Sequence, residues 1–445
     1  MPTDQSDQSD QSDWTDRTDP NPPLAGGTKK QYIPPVFSVR IKRGVFWLEG
    51  LNALATTYYF YFIFFVLKRR FGFEDRQNLL WAAALGAMFC CAAYVGGKVG
   101  QHRGYLKALG IGFTTMAVSL TLGTFLDHPA GHLVVMLMAA AGMCFTWPNL
   151  EALAAERESP ARLQRNIGIY NLIWSGGNGV AYFTGGALLE HFGWRSIFVL
   201  PAGLHILQLL LLAWMSREVH HDLTEADLET APELHLSTVR ERRRSPVPPA
   251  RFMKMAWVAN PFSYVAINTA VPLIPFLAGR LDLSPTLTGI VCSTWFFART
   301  AAFGLLWKWD GWHYRYRFLS AAYIGMAIGF TGIVLASSVP MLLLAQILFG
   351  FSLGLIYYSS LFYSMDVGET KGEHGGWHEA TIGAGIFTGP AVAAFALHFF
   401  PADEQAGVKA VGLVLLAGFV LLNLLRWTGV SRVPTLSGVP PAGRG

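Results

Sequence analysis

The polarity of this chain is laid down in blocks. From Val45 onward, apolar runs of about 20 residues alternate with short polar breaks, and that length carries an α-helix across a hydrocarbon core of roughly 30 Å. Twelve such runs predict membrane spans over 45–67, 78–97, 106–126, 133–153, 167–189, 196–215, 255–277, 287–307, 318–339, 341–364, 377–397 and 408–427. Backbone amides in lipid must be paired inside their own segment or in a closed barrel, and these runs are too long for barrel strands of about ten residues. The expected class is all-α and polytopic.

The polar remainder divides the chain. Residues 1–44 form a tail opening on the triplet repeat DQSDQSDQSD, expected to be disordered, followed by a basic juxtamembrane segment. It has no apolar core of a cleavable signal, so the first span is expected to direct insertion. Six spans fill 45–215 and six fill 255–427, each set predicting a six-helix bundle. Between them, 216–254 begins acidic (Asp222, Glu225, Asp227) and ends basic and Pro-rich (Arg242, Arg243, Arg244, Pro246), a linker; 428–445 is a second tail.

Composition sharpens this picture. The chain is 52% hydrophobic and 14% charged, with mean hydropathy +0.34, and a soluble domain carries roughly 25% charge. Its net charge of +5 sits mainly between apolar runs, where it sets topology and makes no nucleic-acid face. Most Lys and Arg fall in the tails, the linker and the even-numbered loops, which places both termini in the cytoplasm of a plasma or bacterial inner membrane. Lys68, Arg69, Arg70 and Arg76, in the first outer loop, run against that rule.

Enzymatic chemistry finds little support. Cys90, Cys91, Cys144 and Cys292 lie within spans at neither metal nor disulfide spacing. His220, His221 and Asp222 are adjacent in a solvated linker and lack the fixed geometry of a metal site. No phosphate-binding Gly-x-x-x-x-Gly-Lys-Ser/Thr loop occurs, so no ATP-driven pump is expected. No enzyme, cofactor or metal is expected.

A shift of 207 residues brings Gly97 onto Gly304, Gly104 onto Gly311, Gly168 onto Gly375 and Gly176 onto Gly383. Such a frame suits a parallel six-helix repeat. The chain here resembles the major facilitator superfamily, whose second-to-third-span loop reads Gly-x-Leu-Ala-Asp-Arg-x-Gly-Arg-Lys. This sequence has Gly97, Lys98, Val99, Gly100, Gln101, His102, Arg103, Gly104, Tyr105 and Leu106, keeping the glycine frame and losing the charges. The second-half counterpart runs from Gly304 to Gly311, then Trp312, His313, Tyr314 and Arg315. Gly193, Trp194 and Arg195 are similar to the family's turn between the fifth and sixth spans. Its antiporter pattern is degenerate around Ala181, Tyr182, Gly185 and Gly186, and a clean copy, Gly385, Gly389 and Pro390, falls on the eleventh span. The resemblance implies a secondary transporter that moves a small organic solute by alternating access.

Ionisable residues inside spans cost several kcal/mol and are functional candidates. They are Glu49, Glu151, Arg299, His378 and Glu379, all on the cytoplasmic half of the predicted bundle. Arg299 is the deepest. It is expected to pair with an acidic group or an anionic substrate, while Glu49, Glu151 or Glu379 takes and releases a proton; a fixed salt bridge closing a gate is the other reading. Protons or another ion would provide coupling. In the family, spans 1, 4, 7 and 10 surround the cavity and span 5 contributes. That implies Asn52, Tyr58, Tyr61, Trp147, Asn149, Asn171, Trp174, Asn178, Asn268, Tyr357 and Tyr358 as lining residues. Pro261, Pro272 and Pro275 favour bending of the seventh span, and Gly325 and Gly329 favour close packing. A monomer in the lipid bilayer is expected. The rival reading, motivated by Gln101 and His102, is a membrane sensor or assembly factor of the same fold that moves no solute.

Overall fold

A computed structural model describes residues 39–156, 160–221, 247–367 and 371–428. The expectations for the N-terminal tail to 38, for 222–246 of the linker and for the C-terminal tail from 429 fall outside the described residues. Among the described residues the regular elements are helices: α1 (Val39–Phe71), α2 (Asp75–Arg103), α3 (Tyr105–Gly123), α4 (Pro129–Cys144), α5 (Trp147–Ala155), α6 (Pro160–Phe192), α7 (Ser196–His221), α8 (Pro249–Arg280), α9 (Pro285–Cys292), α10 (Thr294–Lys308), α11 (Tyr316–Val334), α12 (Val339–Val367), α13 (Lys371–Phe399) and α14 (Ala406–Trp427). With α4–α5 and α9–α10 each counted as one interrupted span, these are the twelve helices of two six-helix bundles.

The interruptions have local causes. Pro148 lies two residues past the α4–α5 junction and cannot donate to the Cys144 carbonyl, so the ladder restarts at Trp147. At the α9–α10 junction the Ser293 hydroxyl donates to its own helix, to Ile290 O at 2.7 Å, a back-bond that bends helices. The three prolines of α8 leave it continuous from Pro249 to Arg280.

Among the described residues, eleven helices are long and apolar enough to cross a membrane. The exception is α6. Asn166, Asn171 and Asn178 interrupt its apolar pattern, and it packs against α1, α9 and α10. Leu344, Phe395 and Leu413 face outward, as suits lipid, whereas Asn52, Asn78, Gln208 and Gln346 are buried. The outward face is apolar, and the buried polar side chains sit within an interior that is itself largely apolar.

Two seams join the bundles: α2 lies along α13, and α6 along α9 and α10. Both depend on glycine. A Cβ at Gly86 would stand 2.3 Å from Phe387 N, one at Gly383 2.7 Å from Cys90 Cα, one at Gly186 1.9 Å from Pro285 O and one at Gly289 2.8 Å from Tyr182 O. Since the 207-residue shift carries α2 onto α9–α10 and α6 onto α13, the seams are one joint used twice. The glycines that do this differ in part from those that revealed the shift. Gly97 has open space where a Cβ would go, whereas its neighbours meet Cys144 O at 2.2 Å (Gly96) and Asn149 Oδ1 at 1.6 Å (Gly100). Gly104 remains special because its φ is +94°.

The other glycine motifs are packing devices. Gly385 and Gly389 let α13 reach the α8 carbonyls of Pro261 and Val265, at 2.2 and 2.4 Å from a built Cβ. Gly325 and Gly329 meet Ser352 and Phe349 on α12 in the same way.

The helices define two ends. At the near end lie the start of α1 and the finish of α14, where Arg426 sits 4.2 Å over the Tyr316 ring. Here the α2–α3 turn leaves Gln101, His102 and Arg103 exposed. The matching α10–α11 turn is held by aromatics instead. Trp312 is buried, His313 stacks on Phe362 at 4.0 Å, and Tyr314, at φ +53°, donates its N–H to Tyr363 Oη at 3.0 Å and its hydroxyl to Asp366.

At the far end the bundles are tied across. Lys68 Nζ donates to Pro275 O at 2.9 Å and lies 3.9 Å over the Phe276 ring, and Asn78 Nδ2 donates to Pro272 O at 3.2 Å. Lys68 therefore works as a strut between α1 and α8, a structural reason for one of the four basic residues that run against the expected charge bias.

Candidate functional site

Near-end segments of α5, α6, α8, α12 and α13 enclose a cavity of about 20 Å³ between the bundles. It is lined by Trp147, Glu151, Tyr170, Trp174, Tyr264, Tyr357 and Ile382. That volume holds about one water. Trp147 and Glu151 on α5, like Tyr170 and Trp174 on α6, are four residues apart and so share a helix face. The short α5 is anchored by Lys42 of α1, whose Nζ donates to Leu153 O at 2.8 Å and Glu156 O at 3.0 Å. A cation on the terminal carbonyls of a helix is also placed favourably for its dipole.

Two carboxyl groups meet here. Glu49, on α1, is fully buried, and neither of its oxygens has a hydrogen-bond partner. The Tyr170 hydroxyl neighbours it without the geometry of a bond, and Glu151 is within electrostatic range. Among the residues whose side chains are described, no cation lies within ion-pair distance of either carboxylate. Ion pairs such as Arg70–Asp127 at 2.6 Å and Lys409–Asp403 at 2.7 Å are at the surface.

Arg299, on α10, stands behind the Trp174 wall. It is 4% exposed; its Nε donates to Ser175 Oγ at 3.1 Å, and Nη2 is buried with no acceptor. Its guanidinium lies 4.3 Å from the Trp174 ring centroid, 5.1 Å from Trp295 and 5.3 Å from Phe296. Among the residues whose side chains are described, Arg299 makes no salt bridge; the side chain of Glu379 lies outside them.

Of the lining residues expected from sequence, Trp147, Trp174 and Tyr357 face this cavity. Trp174 joins them, with its ring centroid 6.5 Å from that of Trp147 and 5.0 Å from that of Tyr357. Tyr61 packs at a tilt against Phe296, with ring centroids 5.5 Å apart, and is within electrostatic range of Arg299. The others are engaged elsewhere. Asn52 donates to Thr146 Oγ1 at the α4–α5 break, Asn149 to Gly96 O and Phe145 O, and Asn268 to Tyr264 O of its own helix. Asn178 accepts from Thr57, Tyr58 bonds Ser196 toward the far end, and Tyr358 packs on Phe303 and Trp312. Asn171 is buried with both amide atoms unpartnered. His378 and Glu379 lie on α13 where the backbone alone is described.

Sequence reasoning missed Tyr170, Tyr264, Ile382 and Ser175. Tyr170 precedes Trp174 by four residues and Tyr264 precedes Asn268 by four, so extending each polar stripe one turn would have found both.

The family profile described as Major Facilitator Superfamily matches residues 45–265. The crystal structure of the human organic anion transporter MFSD10 (TETRAN) is similar at a TM-score of 0.59 and 16% identity, over 87% of this chain and 98% of that one. At such identity the likeness is one of fold. No curated protein matches the sequence.

Proposed function

The chain belongs to the major facilitator superfamily of membrane transporters, and on that premise we propose that it carries a small organic solute by alternating access, driven by protons. One observation carries the proton reading: Glu151 lines a nearly dry cavity between the bundles, Glu49 is fully buried within electrostatic range of it, and no cation is within ion-pair distance of either among the residues whose side chains are described. Charge without a partner or water is costly there, so a shared proton suits the closed state and its release suits the state in which the space opens to solvent. Tyr170, between the two carboxyls, offers a hydroxyl path for that proton. His378, Glu379 and the Gln101–His102–Arg103 turn belong in this reading to the near-end gate, which faces the cytoplasm. Lys68 and Asn78 belong to the far-end gate. The transporter works as a monomer with both termini in the cytoplasm.

Purified protein in liposomes, given a panel of radiolabelled organic solutes and an imposed pH gradient, tests this. At least one solute is expected to accumulate only while the gradient stands, with an enclosed pH dye reporting matched proton flux. Uptake that ignores the gradient would remove the coupling. A stable partner protein retained in mild detergent, with no solute moving, would favour the sensor reading.

A further inference from the structure

The feature that proton coupling leaves unexplained is Arg299. A buried cation without a counter-ion is among the costliest groups a protein can hold, and this one keeps a single side-chain bond, from Nε to Ser175 Oγ at 3.1 Å. Nη2 is left buried with no acceptor, and no carboxylate lies within ion-pair distance among the residues whose side chains are described. The contacts it does make are aromatic, with Trp174 closest at 4.3 Å. Stacking on rings holds a guanidinium flat and leaves its edge donors free, the geometry that grips a planar oxyanion.

Trp174 has two sides in this argument. It lies beside Arg299 and also lines the interbundle cavity together with Trp147, Tyr264 and Tyr357. Tyr264 and Tyr357 are likewise within electrostatic range of the guanidinium. A ligand in the cavity would thus find aromatic walls around it, a cation against the Trp174 wall, and Glu151 in the lining with Glu49 within electrostatic range of it.

We propose that the transported solute is an aromatic monoanion, a carboxylate or sulfonate on a flat ring, with its anionic group on Arg299 and its ring among Trp147, Trp174 and Tyr357. The charge is limited to one for two reasons. Arg299 is the sole cation against the cavity wall among the residues whose side chains are described, and Glu151 in the lining, with Glu49 within electrostatic range of it, repels a second negative group. This inference rests on the transport reading above: it names the substrate class of that same site. At about 20 Å³ the closed cavity is too small for such a ring, so the ligand enters only as the bundles part.

Benzoate and benzenesulfonate, with neutral benzamide and cationic benzylammonium as comparators, test the idea by calorimetry on the full-length protein in nanodiscs. Both anions are expected to bind and to quench tryptophan fluorescence. Arg299→Gln is expected to weaken them by about 30-fold or more, the effect of removing one partner of a buried charge pair. Arg299→Lys, which keeps the charge and loses the fork, is expected to fall between, and benzamide is expected to respond to neither change. Anion affinity unaltered by Arg299→Gln, preference for benzamide or benzylammonium, or no binding of either anion at 10 mM (a ceiling of about 3 kcal/mol of binding free energy) would overturn it. Spin-label distances across the two ends of the bundle separate this from the transport reading. Bundles that still rock while no aromatic anion binds would sink the substrate class alone, and bundles that never move would sink transport.

Discussion

Proteoliposomes carrying the Glu49→Gln, Glu151→Gln double variant are expected to exchange solute but not to accumulate it. With one proton per turnover, a gradient of one pH unit supplies about 1.4 kcal/mol, which sustains about a tenfold concentration ratio. Glutamine keeps the shape of each side chain and cannot carry the proton, so the ratio should drop from about ten toward one while counterflow between labelled and unlabelled solute persists. Glu49 makes no ion pair and neither of its oxygens is hydrogen-bonded, so its replacement removes no partner and the fold should survive. Flux and dye signal measured in the same vesicles check the result; accumulation retained at the wild-type ratio would remove the two carboxyls from the coupling.

Gly186→Val is expected to abolish transport by a different route. A Cβ at Gly186 would lie 1.9 Å from Pro285 O and 2.5 Å from its carbonyl carbon. Backbone on a packed helix cannot yield as a flexible side chain would, so the α6–α9 seam fails to close at the far end. Overpacking of this kind costs about 1–3 kcal/mol or more, to be read as a lowered melting temperature together with lost flux in both directions. Gly97→Ala is the control. It lies in the loop motif by which the family is recognised but has open space around it, and alanine is the better helix former by about 1 kcal/mol, so both stability and flux should hold.

That contrast marks what could be read from the residues alone. Helix number followed from hydropathy, because lipid demands length and apolarity together. The 207-residue repeat makes the two seams equivalent, but which helices form them, and which glycines bear the contact, was not legible, since Gly96 and Gly97 look alike in sequence and have different surroundings. The break between α4 and α5 was legible at Pro148; the smaller one at Ser293 arises from a hydroxyl choosing its own backbone, which a sequence does not announce. At the site, Glu49, Glu151 and Arg299 stood out because charge in a span is rare. Their grouping was hidden, because Glu49 and Glu151 lie far apart in the chain and meet only through the packing of α1 on α5. Polar residues such as Asn149 and Tyr58 looked equally like lining and instead tie helix to helix, a distinction set by rotation about the helix axis.

Alternating access is the claim on which the rest depends, and pulsed electron resonance between paired spin labels tests it most directly. One pair is set across the far-end seam at Arg76 and His398, whose side chains stand 3.2 Å apart. The other is set across the near-end seam at Arg165 and Lys308, beside the contact where a Cβ at Gly168 would lie 3.1 Å from the Trp307 ring. As pH is lowered in nanodiscs, the account predicts two populations at each pair, with the far-end distance lengthening in the fraction of molecules in which the near-end distance is short. A single, pH-independent distance at both pairs would contradict it.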